Sequence, residues 1–225
     1  MTAYTGIKAV IFDLDGTLLD TSEGVIRSVK YMLDQLGYDA LPEEMYRTFI
    51  GPPIHHRMKQ IYGITDEEAA VAMHTFRDHY VEGDLFYASH YDGMEKLLQD
   101  LNGDGYRLGV CTYKREDQAK ALLENKGLAK YFQVIHGQDA EGRLSKSDVL
   151  QLTMKDLGVT PEEAVMVGDA YTDAEGAAGA GTHFLAVTYG FGFQTAEDVM
   201  KYPNIGAAGT PVEIRQVLES LKHRQ

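Results

Sequence analysis

Cysteine, basic residues and long apolar runs are all scarce in this chain. A single cysteine, Cys111, stands among 225 residues, so no disulfide can form within the chain, and its place in an apolar run predicts a small buried residue. Lysine and arginine number 21 against 34 acidic residues, which gives a formal net charge of -13. Because this charge repels phosphate backbones and anionic lipid surfaces, we expect neither nucleic acid nor a membrane as a partner.

Two further absences narrow the class of protein. No run of eighteen apolar residues occurs, and no basic segment followed by a long apolar stretch opens the chain, so we expect neither a membrane span nor a secretion signal. Because neither a membrane span nor a secretion signal is predicted, we expect a cytoplasmic protein. The eight histidines show no zinc-type spacing with cysteine, so no zinc site is expected.

The stretch IKAVIFDLDGTLLD at 7–20 is the most informative part of the sequence. Its short, bulky apolar run at 9–12 predicts a strand that is covered on both faces, and Asp13 follows at the carboxyl end. Ligands bind at that edge of a parallel sheet. The alternative is that Asp15 and Gly16 form only a turn, because Asp-Gly is also a hairpin signal.

Residues 21–87 have a helical pattern. Apolar residues recur at a spacing of 3.6 from Val25 to Leu36, and Gly37 is a plausible helix stop. The segment FIGPP at 49–53 interrupts the pattern, since consecutive prolines cannot continue a helix. Thr65 and Glu68 have the spacing of a capping box that opens another helix.

Strand-like and helical runs alternate from about residue 91 onward, which is typical of a parallel sheet. Strands are predicted at 108–111, 133–135, 165–167 and 184–187, and helices at 115–126, 146–157, 174–180 and from Thr210. A helical block after the first strand is best explained as an insertion. The predicted fold is thus a Rossmann-like α/β core of residues 1–20 and 88–225, interrupted by an α-helical cap domain of residues 21–87.

Polar residues follow three of the predicted strands: Asp13 with Asp15, then Thr112, then Asp169 with Asp173. Parallel strands bring these ends together, and two like charges about 4 Å apart repel by about 4 kcal/mol at an effective dielectric of 20. The cluster is expected to bind a cation or to retain a proton. Oxygen ligands favour Mg²⁺.

Lys146 stands at the start of a predicted helix. A phosphoryl group at a helix N-terminus could accept hydrogen bonds from this lysine and from backbone N–H groups. Taken alone, however, the residue is better explained as a solvated surface lysine.

Together these residues resemble a known family. DLDGTLLD at 13–20, Thr112, Lys146 and GDAYTD at 168–173 resemble the four ordered motifs of the haloacid dehalogenase superfamily, and the likeness covers nearly the whole chain. Within that superfamily the chain most resembles the phosphoglycolate phosphatase branch, through FIGPP and through AVTYGFG at 186–192. The resemblance implies a Mg²⁺-dependent phosphatase acting on a small phosphorylated metabolite.

The resemblance also implies roles for the four acids. Asp13 would be the nucleophile that forms an aspartyl-phosphate, and Asp15 would act first as general acid and then as general base. The carboxylates of Asp13 and Asp169 and the main-chain carbonyl of Asp15 would hold Mg²⁺, with Asp173 close behind.

Four further residues would bind the phosphoryl group. The resemblance assigns its oxygens to the side chains of Thr112 and Lys146 and to backbone N–H groups near Gly16 and Tyr113. Charge stabilisation of this kind is the main task in phosphoryl transfer.

Several other activities stay open or are disfavoured. A dehalogenase needs no acid at the position of Asp15 and no metal cluster, so the acids present disfavour it. A phosphonatase would need an activated lysine in the cap. Nothing in the sequence marks Lys30 or Lys59 as activated. A β-phosphoglucomutase-like enzyme stays open, as do 5′-nucleotides, sugar phosphates and pyrophosphate beside phosphoglycolate. Outside enzymes, a phospho-accepting receiver module is the alternative, although a receiver has no helical insert after its first strand.

The cap offers candidates for substrate choice around its proline turn. They are polar or rigid residues that could meet a substrate carboxylate or a second phosphate: Arg47, Pro52, His55, His56 and Arg57. Ordinary exposed helix residues are an equal expectation there. The sequence leaves a monomer and a homodimer equally open.

Overall fold

The computed structural model describes residues 6–50, 54–139 and 143–222. Pro52 and the rest of the predicted proline turn lie outside these residues. The chain forms two compact units, one made of residues 1–20 and 90–225 and the other of residues 21–89. Among the described helices, none is both long enough and apolar enough to cross a membrane.

A six-stranded parallel sheet forms the centre of the first unit. Strands are numbered along the chain, and the two-residue strands β2 (Leu19–Asp20) and β3 (Ser89–His90) lie outside this sheet. Its spatial order is β5-β4-β1-β6-β7-β8, and every neighbouring pair is parallel. The strands are β1 (Ala9–Phe12), β4 (Arg107–Arg115), β5 (Val134–Gln138), β6 (Ala164–Gly168), β7 (His183–Val187) and β8 (Ala207–Ala208).

The first strand occupies the middle of the sheet. Phe12 pairs with Val110 of β4 on one side and with Val167 of β6 on the other. All four residues of β1 are fully buried, as the continuous apolar run predicts. The α/β fold class with a parallel-sheet core is therefore confirmed.

Helices of the first unit cover the sheet and are joined to its strands by short connections. One apolar cluster includes Ile11 and Met166 of the sheet together with Val149 and Ala177 of two adjacent helices. The helices are α5 (Met94–Gly103), α6 (Glu116–Asn125), α7 (Lys146–Leu157), α8 (Tyr171–Ala180), α9 (Ala196–Val199) and α10 (Pro211–Lys222).

The second unit is helical. Its core packs apolar side chains such as Val29, Met32, Phe49 and Met58. The predicted capping box is present, since the Glu68 backbone N–H donates to the Thr65 hydroxyl over 3.2 Å. The helices are α1 (Ser22–Leu36), α2 (Glu43–Tyr46), α3 (Ile54–Tyr62) and α4 (Asp66–Glu82), with 3-10 turns at Arg47–Phe49 and Asp84–Phe86.

A buried carboxylate ties three elements of this helical unit together. Asp84 is 5% exposed and accepts from Arg27 Nε at 3.0 Å and from Ser28 Oγ at 2.9 Å, both on α1. His79 Nε2 on α4 lies 3.2 Å from Asp84 Oδ2, the oxygen that also accepts from Ser28, and the His79 ring stacks on Tyr31 at 3.6 Å between centroids. Each carboxylate oxygen thus has a donor.

The structure extends the predicted elements in a few places. Helices α5 and α9 and the two-residue strands β2, β3 and β8 are additional. Helix α8 begins at Tyr171 rather than at 174, because the Asp173 carboxylate accepts from the Ala170 backbone N–H at 3.0 Å and so begins the helix earlier. Strand β4 continues through Arg115, four residues beyond the predicted last residue, Cys111.

Candidate active site

Asp13 follows β1 directly and continues its ladder. Its backbone N–H donates to the Val167 carbonyl at 2.9 Å, which fixes the residue at the carboxyl edge of the central strand. The residue is 9% exposed. A carboxylate has therefore been placed in the interior, where a charge needs partners.

Two more acids, Asp169 and Asp173, follow the carboxyl end of β6. Asp169 and Asp173 are 3% and 0% exposed. Asp169 Oδ2 accepts from the backbone N–H groups of Phe191 at 2.7 Å and Gly192 at 3.0 Å. The AVTYGFG segment, for which the sequence predicted no role in the site, therefore supplies the donors that hold this carboxylate.

Lys146 is the cation among these acids. Its Nζ lies 2.9 Å from Asp13 Oδ1 and 2.7 Å from Asp173 Oδ1, and its side chain is only 3% exposed. The alternative of a solvated surface lysine is therefore wrong. Single-residue reasoning missed this because burial depends on α8, where a Cβ at Gly176 would come within 2.7 Å of Lys146 Cγ.

The position of Lys146 is set by the start of its helix. The Ser145 hydroxyl accepts from the Asp148 backbone N–H at 3.1 Å, and the Asp148 carboxylate accepts from the Ser145 backbone N–H at 2.9 Å. This capping box begins α7 at Lys146. Lys146 thus lies in the first turn of the helix, where backbone N–H groups have no acceptor within the helix.

The three acids form a group suited to a divalent cation. Asp13, Asp169 and Asp173 are all buried, and one ligand oxygen from each lies within 4.8 Å of the others. One lysine cannot balance three carboxylates. Hard carboxylate oxygens in this number fit Mg²⁺, so the residues present suit the predicted metal.

Burial and mutual repulsion alter the protonation of the cluster. Burial raises the pKa of Asp13 to about 6, against the attraction of Lys146 and with the repulsion of Asp173. Burial, followed by repulsion from Asp13, raises the pKa of Asp169 to about 6. The pKa of Lys146 stands well above its ordinary value, because the two acids outweigh a burial effect that would lower it.

Asp15 lies in the turn that follows β1. Gly16 takes φ +81° there, a conformation that suits glycine, and its N–H donates to the Leu19 carbonyl at 2.9 Å. The predicted Asp-Gly turn is therefore present. Asp15 Oδ1 lies 3.2 Å from Lys114 Nζ, a partner that no sequence signal indicated.

Thr112 and Tyr113 lie on β4, next to β1. Thr112 is 1% exposed, and its hydroxyl accepts from the Lys114 backbone N–H at 3.2 Å. Tyr113 is 45% exposed, yet its hydroxyl accepts from the Lys146 backbone N–H at 3.0 Å. The Tyr113 side chain thus links the end of β4 to the start of α7, a contact that the sequence did not reveal.

The predicted cap candidates lie in the helical unit. Arg57 donates to Thr48 Oγ1 at 2.5 Å and to Gln60 Oε1 at 2.7 Å, so most of its guanidinium is already engaged within that unit. Arg47 is exposed in its 3-10 turn. Of the two arginines, Arg47 therefore has the more accessible side chain for a ligand.

The two histidines of this set are neighbours on α3. Their rings lie 4.3 Å apart between centroids, and His56 is the more exposed of the two. Burial, with repulsion from His56 and Lys59, lowers the pKa of His55. His55 therefore favours the neutral form at neutral pH.

The two cap lysines are surface residues with acidic partners. Lys30 lies 2.9 Å from Glu43, and Lys59 lies 2.5 Å from Asp66. Both lysine side chains are more than 40% exposed. Neither has the burial that would activate a lysine for imine chemistry.

Comparison with known families agrees with the site. Residues 10–187 match the family described as haloacid dehalogenase-like hydrolases, and that range includes the four ordered motifs. The chain therefore belongs to the haloacid dehalogenase-like hydrolase family. The predicted superfamily is confirmed.

Relatives similar over most of the chain carry several different named activities. The chain is 36% identical over 213 residues to the tyrosine-protein kinase PtkA of Mycobacterium tuberculosis, covering 94% of this chain and 72% of the relative. It is 32% identical to a 5′-nucleotidase of Pseudomonas aeruginosa, with 94% and 95% covered. It is 36% identical to a phosphoglycolate phosphatase of Rhodospirillum rubrum, with 82% and 80% covered.

A solved structure extends the likeness to the fold. The crystal structure of a predicted phosphatase from Clostridium acetobutylicum has a TM-score of 0.85 at 34% identity, with 96% of this chain and 100% of that chain covered. The protein is thus an enzyme of the phosphoglycolate phosphatase-like branch, as the sequence predicts.

Proposed function

We propose that the protein is a Mg²⁺-dependent phosphatase that hydrolyses a small phosphorylated metabolite through an aspartyl-phosphate on Asp13. The observation that carries this proposal is the buried group at the end of β1, in which Asp13, Asp169 and Asp173 lie close to one another and the ammonium of Lys146 pairs with Asp13 and Asp173. Such a group has an excess of negative charge that a divalent cation relieves.

The first step transfers the phosphoryl group to the protein. A carboxylate oxygen of Asp13 attacks phosphorus, the bond from phosphorus to the leaving oxygen breaks with its electron pair on that oxygen, and Asp15 supplies the proton. Lys146, 2.9 Å from the attacking carboxylate, and Thr112 stabilise the charge on the phosphoryl oxygens. Proton transfer of this kind contributes about 10² to 10⁴-fold in rate.

The second step releases phosphate. Asp15, now a carboxylate, accepts a proton from water as the water oxygen attacks phosphorus. The bond from phosphorus to the Asp13 oxygen then breaks with its electron pair on Asp13, which regenerates the nucleophile. A single side chain thus acts as acid in one step and as base in the next.

Four groups would hold the metal. They are the carboxylates of Asp13 and Asp169, the main-chain carbonyl of Asp15 and, close behind, Asp173. When bound, Mg²⁺ neutralises charge on the phosphoryl oxygens. Backbone N–H groups near Gly16 and Tyr113 would bind the same oxygens, while the Gly16 N–H itself donates to Leu19.

The helical unit of residues 21–89 is proposed as the cap that selects the substrate. Its exposed Arg47 and the neighbouring His55 and His56 can meet an anionic group on the substrate, and Arg57 supports them from its bonds to Thr48 and Gln60. Phosphoglycolate is the first proposed substrate. A 5′-nucleotide is the second, favoured by the relative that is matched over 94% of this chain and 95% of its own length.

Hydrolysis of p-nitrophenyl phosphate tests the chemistry. We expect turnover with Mg²⁺, none with EDTA, and a loss of more than about a thousandfold in Asp13→Asn, because the nucleophile is gone. Acid-quenched wild type should carry hydroxylamine-labile phosphate, and Asp13→Asn should carry none. Asp34→Asn, an exposed acid on α1, is the matched control. Unchanged turnover in Asp13→Asn would refute the proposal.

A panel of phosphorylated metabolites tests the substrate. Phosphoglycolate, 5′-nucleotides, sugar phosphates and pyrophosphate are ranked by kcat/KM, and phosphate release is compared with transfer to a second substrate molecule to separate a phosphatase from a mutase. We expect phosphoglycolate or a 5′-nucleotide to rank first. A higher kcat/KM for sugar phosphates or pyrophosphate would contradict the substrate proposal but not the chemistry.

A further inference from the structure

Lys114 is a nearly buried lysine beside the proposed acid. Its side chain is 8% exposed, and its Nζ lies 3.2 Å from Asp15 Oδ1. None of the four motifs of the predicted site includes it. A buried ammonium is costly unless a carboxylate pairs with it, so the contact with Asp15 is the first indication of what Lys114 does.

An irregularity in the sheet sets the position of Lys114. Strand β4 pairs with β5 in regular register up to Cys111, opposite His136, and resumes with Arg115 opposite Gln138. Three residues of β4 therefore stand against Gly137 alone. Such bulges re-aim side chains next to functional sites.

The backbone at this irregularity is fixed on both sides. The Lys114 N–H donates to the Thr112 hydroxyl at 3.2 Å, and a Cβ at Gly137 would overlap the Lys114 carbonyl oxygen. Lys114 thus starts from a defined point between Thr112 and Arg115. Its long side chain then reaches the turn after β1.

Asp15 has the opposite character. Its side chain is 29% exposed and lies in a turn two residues beyond the crowded carboxylate of Asp13. Repulsion from that carboxylate and attraction to a bound cation would both displace an untethered Asp15 side chain. The Lys114 ammonium opposes such displacement.

We propose that Lys114 is a positioning residue that holds the Asp15 carboxyl group where it can give a proton to the leaving oxygen. This inference rests on the proposed function, in which Asp15 is the general acid. In that step the bond from phosphorus to the leaving oxygen breaks, the electron pair stays on the leaving oxygen, and the proton of Asp15 joins it. Lys114 itself exchanges no proton and touches no reacting atom.

Two aryl phosphates separate this role from others. The leaving group of phenyl phosphate needs a proton, whereas that of 2,4-dinitrophenyl phosphate departs as a stable anion. The ratio kcat/KM reports the steps up to release of this group. A residue that acts through the acid affects the first substrate and spares the second.

Lys114→Met is the decisive variant. We expect kcat/KM to fall about tenfold to a hundredfold with phenyl phosphate, as for a misplaced catalytic group, and less than about threefold with 2,4-dinitrophenyl phosphate. Lys114→Arg, which keeps the charge, should recover most of the loss. Equal losses with both substrates would overturn the proposal, since Lys114 would then act on the phosphoryl group or on folding alone.

The control variants keep the outcomes distinct. Lys130→Met removes a lysine that lies 3.1 Å from the carboxylate of Glu95, a distance similar to that between Lys114 and Asp15, but on the surface. This variant should change kcat/KM for neither substrate. Thermal melting checks that each variant folds. If Lys114→Met does not fold, Lys114→Gln replaces it and keeps a hydrogen-bond donor without the charge.

A double variant tests the route through Asp15. In Asp15→Asn the substitution Lys114→Met should have no further effect on phenyl phosphate, because the group that it positions is gone. If Asp15→Asn itself shows no discrimination between the two substrates, the proposed acid role of Asp15 fails. If it does discriminate and Lys114→Met does not, the Lys114 proposal alone fails.

Discussion

The protein buries carboxylates in two places and treats them in opposite ways. In the helical unit Asp84 stands alone among three donors, Arg27, Ser28 and His79. In the sheet unit three carboxylates lie close together, and the ammonium of Lys146 pairs with two of them, Asp13 and Asp173. The first group places one carboxylate among several donors, whereas the second places three carboxylates beside one ammonium and backbone N–H groups that carry no net charge.

This difference separates a structural network from a functional one. A buried acid with a donor on each oxygen stabilises the elements that supply those donors. An acid cluster with more negative than positive charge weakens the fold in the absence of a ligand and becomes favourable when a cation or a proton binds. The comparison therefore predicts which substitutions affect activity and which affect stability.

Lys146→Met should have the largest effect. Activity should fall more than about a thousandfold, because the variant loses the cation nearest the proposed nucleophile. It also leaves Asp13 and Asp173 without their shared partner, so the metal-free protein should lose about 3 to 5 kcal/mol of stability. Kinetics and urea unfolding measure the two effects. If the variant kept wild-type activity, the proposed role of Lys146 in binding the phosphoryl group would be wrong.

Asp84→Ala should affect stability without touching the sheet unit. It removes the acceptor that Arg27, Ser28 and His79 share, and loss of one partner from a buried pair costs about 3 to 5 kcal/mol, with the lower end expected because Arg27 is half exposed. Urea unfolding measures this. Glu43→Ala, which removes only the exposed partner of Lys30, is the control and should cost less than about 1 kcal/mol.

The pH dependence of metal-free stability should distinguish the two clusters. The folded-state pKa of Asp13 is raised from 3.8 to about 6, so folding favours the protonated form. The resulting stabilisation is complete below about pH 4 and is lost as the pH rises through about 6. Relative to Asp13→Asn, the wild type should lose on the order of 2 to 3 kcal/mol over this range.

Urea unfolding in EDTA at pH 4, 5, 6 and 7 measures that difference. Asp84→Asn serves as the second reference, since its substitution leaves the Asp13 cluster intact and should preserve the slope. A wild type whose stability, relative to Asp13→Asn, rises between pH 4 and 6 would contradict the assignment of a buried, crowded carboxylate.

Magnesium should have the smallest effect of the four. Binding to the folded state alone stabilises by about 2.7 kcal/mol when the ligand is a hundredfold above its Kd. Asp169→Asn should abolish the rise in melting temperature on adding Mg²⁺, and Asp84→Asn should keep it. An equal rise in both variants would place the metal elsewhere.

The fold could be predicted in large part because its signals are local. The buried strand before Asp13 appears as a continuous apolar run, and the helix stop at Gly37 and the capping box of Thr65 each depend on neighbouring residues. Strand β8 escaped because two alanines in an edge strand carry no periodicity. The start of α8 escaped because it depends on an acid bonding backward to Ala170.

Residues of the candidate site were found when they stood at strand ends and missed when their partners were distant. Asp13, Asp15 and Asp169 are marked by the apolar runs before them. The burial of Lys146 depends on Gly176 of another helix, and the pairing of Lys114 with Asp15 depends on an irregularity between β4 and β5. Neither relation has a local sequence signal.

Strand order also determines when the site can exist during synthesis. A ribosome releases β1 first, but its neighbours in the sheet come from residues 107–110 and 164–167. Until both have emerged, at least one edge of this apolar strand has no partner, and open strand edges favour association between chains. The central strand of the sheet is therefore incompletely paired from the translation of β1 until the translation of β6.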